Sequence, residues 1–227
     1  MHGLPGESRE RPLIVVPTPV GPAEYDLAAP TGPTARGLLV LGHGAGGSIA
    51  AADLVAVAAA ARAGGFHVAR VRQPYAVAGR RAPAPADQLD LAWTTVVETV
   101  LAGLVTKGPV TKQRGKATRL PLVVGGRSSG ARVACRTAAA TGARGVLALA
   151  FPLHPPGHPE KSRAPELDID VPLLVLQGAR DPFGTPAEFP PHVTIHEVAA
   201  ADHRLAGPGF GPALAAAAAW LDAVAAQ

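Results

Sequence analysis

One serine of this chain lies in a context that favours nucleophilic chemistry. Ser128 is the central residue of the pentapeptide GRSSG at 126–130, which follows an apolar run and opens a predicted helix. In a nucleophile elbow the serine occupies a strained strand-to-helix turn, and the residues two before and two after it must be small. Gly126 and Gly130 meet this requirement, whereas centring the motif one residue later would place arginine and alanine there. The motif therefore favours Ser128 as a nucleophile.

A serine hydroxyl becomes a good nucleophile only when a base removes its proton, and that base is usually a histidine oriented by a carboxylate. Asp181 and His203 each follow one of the last two predicted strands. His196 lies within a predicted strand, which favours a structural role. Asp202 is a rival acid, but a residue adjacent to His203 is poorly placed to reach its ring. We therefore predict that Ser128, Asp181 and His203 are the catalytic residues.

A glycine-rich loop supplies a second candidate element. The sequence HGAGG at 43–47 follows a predicted strand, and its glycines allow backbone amides to turn inward. An oxyanion hole needs two such donors. We expect one from the N–H of Ser129 and the other from Ala45, with Gly44 as the alternative. A phosphate-binding loop is the competing interpretation, but the G-x-x-x-x-G-K-[ST] pattern is absent.

The segments that must position these residues alternate between strands and helices. Strands are predicted at 13–16, 24–28, 37–41, 68–71, 120–124, 146–151, 172–176 and 193–198, and helices at 50–63, 86–105, 129–140 and 212–226. This pattern predicts an α/β fold with a mainly parallel, twisted sheet and helices on both faces. Trp93 lies on the apolar side of the second helix, so we expect it in the core. The length fits one domain, residues 1–227. The segment 152–171 is too short for a lid domain.

Five motifs together resemble a small α/β-hydrolase family. They lie at 41–47, at 73–75 with 79–83, at 125–134, at 151–157 with 159–163, and at 177–184. The family comprises predicted bacterial hydrolases close to dienelactone hydrolases, with testis-expressed and KANSL-type relatives in eukaryotes. The resemblance implies a capless α/β-hydrolase fold with Ser128, Asp181 and His203 as the triad. The chain departs at Ser129 and Ala131, where relatives often carry Met and Gly, and neither change removes a catalytic group.

These observations predict a serine hydrolase that needs no cofactor. We expect it to act as a carboxylic ester hydrolase, cleaving a small ester, thioester or lactone through an acyl-enzyme on Ser128. The alternative is a non-catalytic binding or scaffolding protein on the same fold, as the KANSL-type relatives suggest. The occupied triad positions argue against that alternative. A peptidase is a third interpretation, for which the sequence shows no pocket.

Several cationic residues follow predicted strands at their carboxyl ends, where α/β folds bind ligands. They are Arg127, His154, Arg80, Arg81, Lys161 and Arg163. One interpretation is that they bind substrate by orienting an anionic group. The other is that they hold proline-rich loops through carbonyl or carboxylate bonds. His154 and His158 lack a third residue at ligand spacing, so no metal site is predicted.

The composition excludes several other function classes. The net charge is +4, but the basic residues are scattered along the chain apart from one cluster at 107–119. That cluster lacks interleaved aromatic residues, which favours a surface loop over a nucleic-acid interface. The apolar stretches are short, which argues against a membrane protein. Residues 1–12 contain no signal-peptide segment, so we expect a cytoplasmic location. The single Cys135 is expected to be a buried thiol rather than a redox group. We expect a small-molecule acyl substrate, no nucleic-acid or membrane partner, and a monomer or homodimer.

Overall fold

The computed structural model of the protein describes residues 12–107, 112–113, 116–117 and 120–227. The predictions made from residues 1–11 lie outside this part of the chain. So does most of the basic cluster 107–119, including its side chains. What is described there is a short antiparallel ladder between residues 112–113 and 116–117.

Regular structure follows the predicted alternation closely. The strands are β1 (Ile14–Val16), β2 (Ala23–Ala28), β3 (Gly37–Gly42), β4 (Phe66–Arg72), β5 (Lys112–Gln113), β6 (Lys116–Ala117), β7 (Leu122–Arg127), β8 (Gly145–Leu149), β9 (Leu173–Gly178) and β10 (Thr194–Val198). The helices are α1 (Ala52–Ala63), α2 (Pro74–Val77), α3 (Ala86–Lys107), α4 (Ser129–Thr141) and α5 (Phe210–Ala225). Each predicted strand and helix is confirmed within a few residues.

Eight of the strands form one sheet in the order β1-β2-β4-β3-β7-β8-β9-β10. The strands from β4 to β10 in this order run parallel, while β2 is antiparallel to β4 and β1 to β2. Gly42 pairs with Gly126, and Gly178 pairs with Val198. Because parallel strands end at the same sheet edge, the loops after β3, β7, β9 and β10 gather there. These are the loops that carry the predicted site residues.

Two layers of helices cover the sheet, as predicted. Helices α3 and α4 bury one face, with Trp93 fully buried, and α1 and α5 bury the other, around Phe66 and Leu221. This confirms the core position of Trp93. Burial of such large apolar side chains is the main source of stability for a fold of this kind.

The structure adds elements that periodicity did not predict. Helix α2 has only four residues and begins with Pro74, which is well suited to a first helical position because its missing N–H is not needed there. Short 3-10 helices lie at Ala164–Leu167 and Pro186–Glu188. The segment 152–171 therefore contains a single short turn of helix and no lid domain, as expected. No helix of the described residues is long and apolar enough to span a membrane.

Candidate active site

The turn after β7 has the geometry of a nucleophile elbow. Ser128 has φ 51° and ψ −111°, a backbone conformation that is costly for a residue with a side chain. Its N–H donates to the carbonyl of Leu149, which ties the turn to β8. A Cβ on Gly126 would lie 2.5 Å from the carbonyl oxygen of Gly42, and one on Gly130 would lie 2.5 Å from the same oxygen. The two glycines of the motif are therefore required because β3 passes against the turn.

Ser128, His203 and Asp181 form a continuous chain of hydrogen bonds. His203 Nε2 lies 3.0 Å from Ser128 Oγ, and His203 Nδ1 lies 2.8 Å from Asp181 Oδ2. Asp181 is 1% exposed, and the ring of Phe183 packs 4.3 Å from the imidazole, centroid to centroid. The contacts of these three side chains fit a catalytic triad.

Strand β9 and the loop after it fix the Asp181 carboxylate on both oxygens. Oδ1 accepts from the N–H of Phe183 at 2.9 Å, and Oδ2 accepts from Gln177 Nε2 at 3.0 Å. Gln177 is itself fully buried in β9 and also donates to the carbonyl of Gly184. Asp202, the rival acid, is exposed and accepts from the N–H of Arg204. The structure thus brings Asp181, and not Asp202, to the histidine.

The glycine-rich loop after β3 is anchored through its carbonyl groups. The carbonyl of Gly44 accepts from His43 Nδ1 at 2.6 Å and from the N–H of Gly47 at 3.0 Å, and that of Ala45 accepts from the Tyr75 hydroxyl at 3.0 Å. His43 Nε2 accepts from the N–H of Gln73 at 3.0 Å, so this imidazole is neutral with its proton on Nδ1. Its pKa is lowered, chiefly by burial. Burial also raises the pKa of Tyr75 to about 12, so its hydroxyl stays a donor.

The peptide between Gly44 and Ala45 has a defined direction. In a trans peptide the C=O and the following N–H point in opposite directions. With the Gly44 carbonyl held by His43, the N–H of Ala45 faces away from that imidazole. Ser129 is the first residue of α4, and the first N–H groups of a helix have no partner within it. The N–H groups of Ser129 and Ala45, with Gly44 as the alternative, therefore stay the predicted oxyanion donors.

Three of the six cationic residues named from the sequence contact protein groups. Arg127 donates to Asp53 Oδ2 at 2.7 Å and to the carbonyl of His203 at 2.9 Å. Arg163 donates to the carbonyl of Pro152, and His154 Nε2 lies 2.9 Å from Glu188 Oε2. These contacts match the alternative in which such side chains hold loops. The remaining three, Arg80, Arg81 and Lys161, are exposed, and no contact in the described part of the chain joins them to the triad.

Sequence reasoning assigned no role to four residues that support this site: Asp53, Tyr75, Gln177 and Phe183. Three of them lie within motifs of the family resemblance, Tyr75 at 73–75 and Gln177 and Phe183 at 177–184. Gln177 gave a usable signal, because it is a polar residue inside an otherwise apolar strand. Asp53 did not, because an acidic residue in the first turn of a helix is common on electrostatic grounds alone. Cys135 is buried on α4, and burial raises the pKa of its thiol to about 12, which disfavours the redox alternative. No group of His, Cys, Asp and Glu side chains in the described ranges could hold a metal ion.

Several solved structures share this fold. A lidless α/β serine hydrolase from Xanthomonas campestris is 21% identical with a TM-score of 0.70, over 96% of this chain and 98% of that one. Est1E from Butyrivibrio proteoclasticus is 12% identical with a TM-score of 0.70, over 95% and 99%. A dienelactone hydrolase from Anabaena variabilis is 18% identical with a TM-score of 0.63, over 94% and 95%. Because the sequence identities are low, these likenesses show the fold alone.

Sequence comparison assigns the family. No curated protein sequence matches the chain. A family model described as the alpha/beta hydrolase domain matches residues 35–210, which include the glycine-rich loop, the elbow, Asp181 and His203. The chain therefore belongs to the alpha/beta hydrolase domain family.

Proposed function

We propose that the protein is a serine hydrolase that cleaves a small carboxylic ester, thioester or lactone. The observation that carries the proposal is the unbroken relay from Asp181 through His203 to Ser128, with heavy-atom distances of 2.8 and 3.0 Å. Both distances lie within the range in which protons transfer between catalytic groups. The exposed cationic residues fit many substrates, so they do not identify the acyl group that the substrate carries.

In the proposed reaction His203 removes the Ser128 proton as Oγ attacks the substrate carbonyl carbon. The carbonyl oxygen gains negative charge, and the N–H groups of Ser129 and Ala45 stabilise it. His203 then donates the proton to the leaving oxygen or sulfur, and an acyl-enzyme remains on Ser128. Water, deprotonated by His203, attacks the acyl carbon, releases the carboxylic acid and restores the serine hydroxyl.

Asp181 has a supporting part in this reaction. Because both of its oxygens are held by Phe183 and Gln177, it keeps the proton of His203 on Nδ1 and leaves Nε2 as the base. The carboxylate also stabilises the imidazolium that forms when His203 takes the proton. A fully protonated imidazolium beside a buried carboxylate is better stabilised than one facing water alone.

Two features of the solved structures support an ester as the substrate. One structure of Est1E holds ferulic acid, and another neighbour is a dienelactone hydrolase. The absence of a lid domain over residues 152–171 leaves the elbow accessible to a small ester. The substrate class proposed here therefore rests on the relay first and on these neighbours second.

Turnover of p-nitrophenyl acetate tests the proposal. The wild-type protein should hydrolyse it, and Ser128→Ala and His203→Ala should each lose at least about 10³-fold in turnover. The variant Ser162→Ala, at an exposed serine outside the site, is the matched control and should be unaffected. A scaffolding protein on the same fold would show no turnover that depends on Ser128 across acetyl, butyryl and thioester substrates.

A further inference from the structure

The arginine next to the nucleophile connects three parts of the site. Arg127 Nε donates to Asp53 Oδ2 at 2.7 Å, and its Nη2 donates to the carbonyl of His203 at 2.9 Å. Its Nη1 lies against the glycine-rich loop: the position that a Cβ on Gly44 would occupy is 3.1 Å from this nitrogen and 3.6 Å from Ser128 Cβ. One guanidinium thus contacts α1, the glycine-rich loop and the loop 199–209 that carries His203, here called the histidine loop.

Asp53 holds this guanidinium in place. Its side chain is 3% exposed, and its Oδ1 accepts from the N–H of Leu54 at 2.8 Å while Oδ2 accepts from Arg127. A carboxylate with both oxygens bonded has a fixed orientation. Because Arg127 forms a two-pronged donor of rigid geometry, fixing Nε also fixes the direction of Nη2.

The histidine loop needs such a contact. It runs from the end of β10 at Val198 to the start of α5 at Phe210 without a helix or strand. Ala200 and Leu205 both have positive φ, near 58° and 53°. Backbone bonds hold the residues on either side of His203, from the N–H of Leu205 to the carbonyl of Asp202 and from the N–H of Arg180 to the carbonyl of Ala201. The bond from Arg127 is made to the carbonyl of His203 itself.

We propose that Arg127 and Asp53 are positioning residues that set the distance between His203 Nε2 and Ser128 Oγ. The inference rests on the proposed hydrolase function. Of the two interpretations of Arg127, it favours the one in which this side chain holds a loop, because the buried Asp53 carboxylate neutralises its charge and two of its three nitrogens are bonded to protein. The pair acts through His203 and does not contact the reacting atoms.

A second arginine–aspartate pair in the molecule offers a matched control. Arg70 pairs with Asp26, and its Nη1 also donates to a backbone carbonyl, that of Ile49, at 2.9 Å. Side-chain exposures are 17% and 4% for this pair and 20% and 3% for Arg127 and Asp53. The two pairs should therefore cost similar stability when broken, but only one contacts the histidine loop.

The kinetics of four variants on a neutral and an anionic ester of equal acyl length test the proposal. The first two variants are Arg127→Lys and Asp53→Asn, and the two controls are Arg70→Lys and Asp26→Asn. Lysine keeps the charge but cannot bridge both partners. We expect kcat to fall between about tenfold and hundredfold in the first two variants on both esters, with KM within about twofold, since a small misplacement of a catalytic group has costs of this size. The two control variants should keep wild-type kcat. Equal kcat in all four would overturn the proposal.

An anion-binding role for Arg127 predicts a different pattern and also contradicts the proposal. Arg127→Lys would then raise KM for the anionic ester alone. Asp53→Asn would lower that KM, because it removes a competing negative charge. In Asp53→Asn, a fall in kcat on both esters supports the positioning role, whereas a fall in KM for the anionic ester alone supports anion binding.

Amide hydrogen exchange keeps the proposal testable even if no ester is turned over. Loss of Ser128-dependent turnover in the wild type would contradict the hydrolase function and not this contact. In that case Arg127→Lys and Asp53→Asn should still speed exchange in residues 201–205 by at least about fivefold, whereas the Arg70 and Asp26 variants should not. Unchanged exchange in that segment would remove the positioning role. Arg127→Lys serves as the measured variant if Asp53→Asn does not fold.

Discussion

Three aspartates in the described part of the chain are almost completely buried, and two of them, Asp26 and Asp181, have different kinds of partner. Asp26 lies on β2 directly opposite Arg70 of β4, on the antiparallel side of the sheet, and the two side chains form an ion pair. Asp181 lies on a loop at the carboxyl edge of the parallel strands and contacts His203. Exposures of 3% and 1% are nearly equal. Burial alone therefore does not distinguish a carboxylate paired with arginine from one that fits a catalytic triad.

The partner makes the difference. A guanidinium has donors only, so the pair of Asp26 with Arg70 has no nitrogen that can accept a proton. A neutral imidazole has one donor and one acceptor nitrogen, so His203 can contact Asp181 through one nitrogen and act as a base through the other. The supports differ as well. Neighbouring strands fix Asp26, whereas Asp181 is held by the N–H of Phe183 in its own loop and by the side chain of Gln177 in β9.

Exchange of each aspartate for asparagine should separate the two roles most strongly. Asp181→Asn should lower kcat for p-nitrophenyl acetate about 10⁴-fold, because an amide favours the wrong tautomer of His203. Asp26→Asn should keep kcat but lower the free energy of unfolding by about 3 kcal/mol, because Arg70 loses its counter-charge in a largely buried site. Steady-state kinetics and urea unfolding measure both effects. A loss of activity in Asp26→Asn as large as that in Asp181→Asn would contradict the comparison.

Two glycines near the starts of helices give a second comparison between the candidate site and the rest of the fold. Gly130 is the second residue of α4, and a Cβ there would lie 2.5 Å from the backbone of Gly42. Gly211 is the second residue of α5, and nothing lies within 4 Å of its Cβ position. Gly130→Ala should therefore destabilise the fold by about 3 kcal/mol or prevent folding. Gly211→Ala should stabilise it by about 0.5 kcal/mol.

Thermal unfolding of the two glycine variants measures this difference. Gly130→Ala should also lose activity in whatever fraction folds, because its Cβ pushes β3 away from the elbow. Equal melting temperatures for the two variants would show that β3 does not press on α4.

Much of this site was predictable from sequence, and the reason is local. The elbow has small residues on both sides of its serine, and those are needed wherever β3 and α4 approach. Asp181 and His203 follow apolar strands in the order that the family resemblance implies. Strand positions were predictable because each apolar run is short and bounded by Gly, Pro or charged residues.

Other features were not predictable because they depend on distant packing. Arg127 and Asp53 are 74 residues apart in the chain, and nothing near either residue indicates the other. For this reason the sequence left open whether Arg127 binds substrate or holds a loop. Helix α2 was missed because four residues are too few for a periodic pattern. Assigning partners to charged side chains needs the register of the sheet, which local patterns do not contain.

Acid should lower the stability of the folded protein through His43, which lies in the glycine-rich loop. Burial lowers the pKa of this imidazole in the folded protein, so below the ordinary histidine pKa the unfolded chain binds a proton that the folded protein resists. Stability should then fall as pH drops from 7.5 to 5.5. Protonation of Nε2 would also remove its bond from the N–H of Gln73.

The variant His43→Asn isolates this contribution, which is the smallest effect expected here. Its amide nitrogen can still donate to the Gly44 carbonyl but does not titrate. Urea unfolding at the two pH values should show a smaller loss of stability in the variant than in the wild type. Equal losses would assign the acid response to other groups.

The central claim is that Ser128 is an activated nucleophile, and covalent labelling tests it most directly. A fluorophosphonate reacts with serine hydroxyl groups that have been activated by a base. Intact-protein and peptide mass spectrometry of the wild type should show one adduct per chain, on Ser128, while Ser128→Ala stays unlabelled and Asp26→Asn labels at the wild-type rate. Equal labelling of wild type and Ser128→Ala, or an adduct on another residue, would contradict the account.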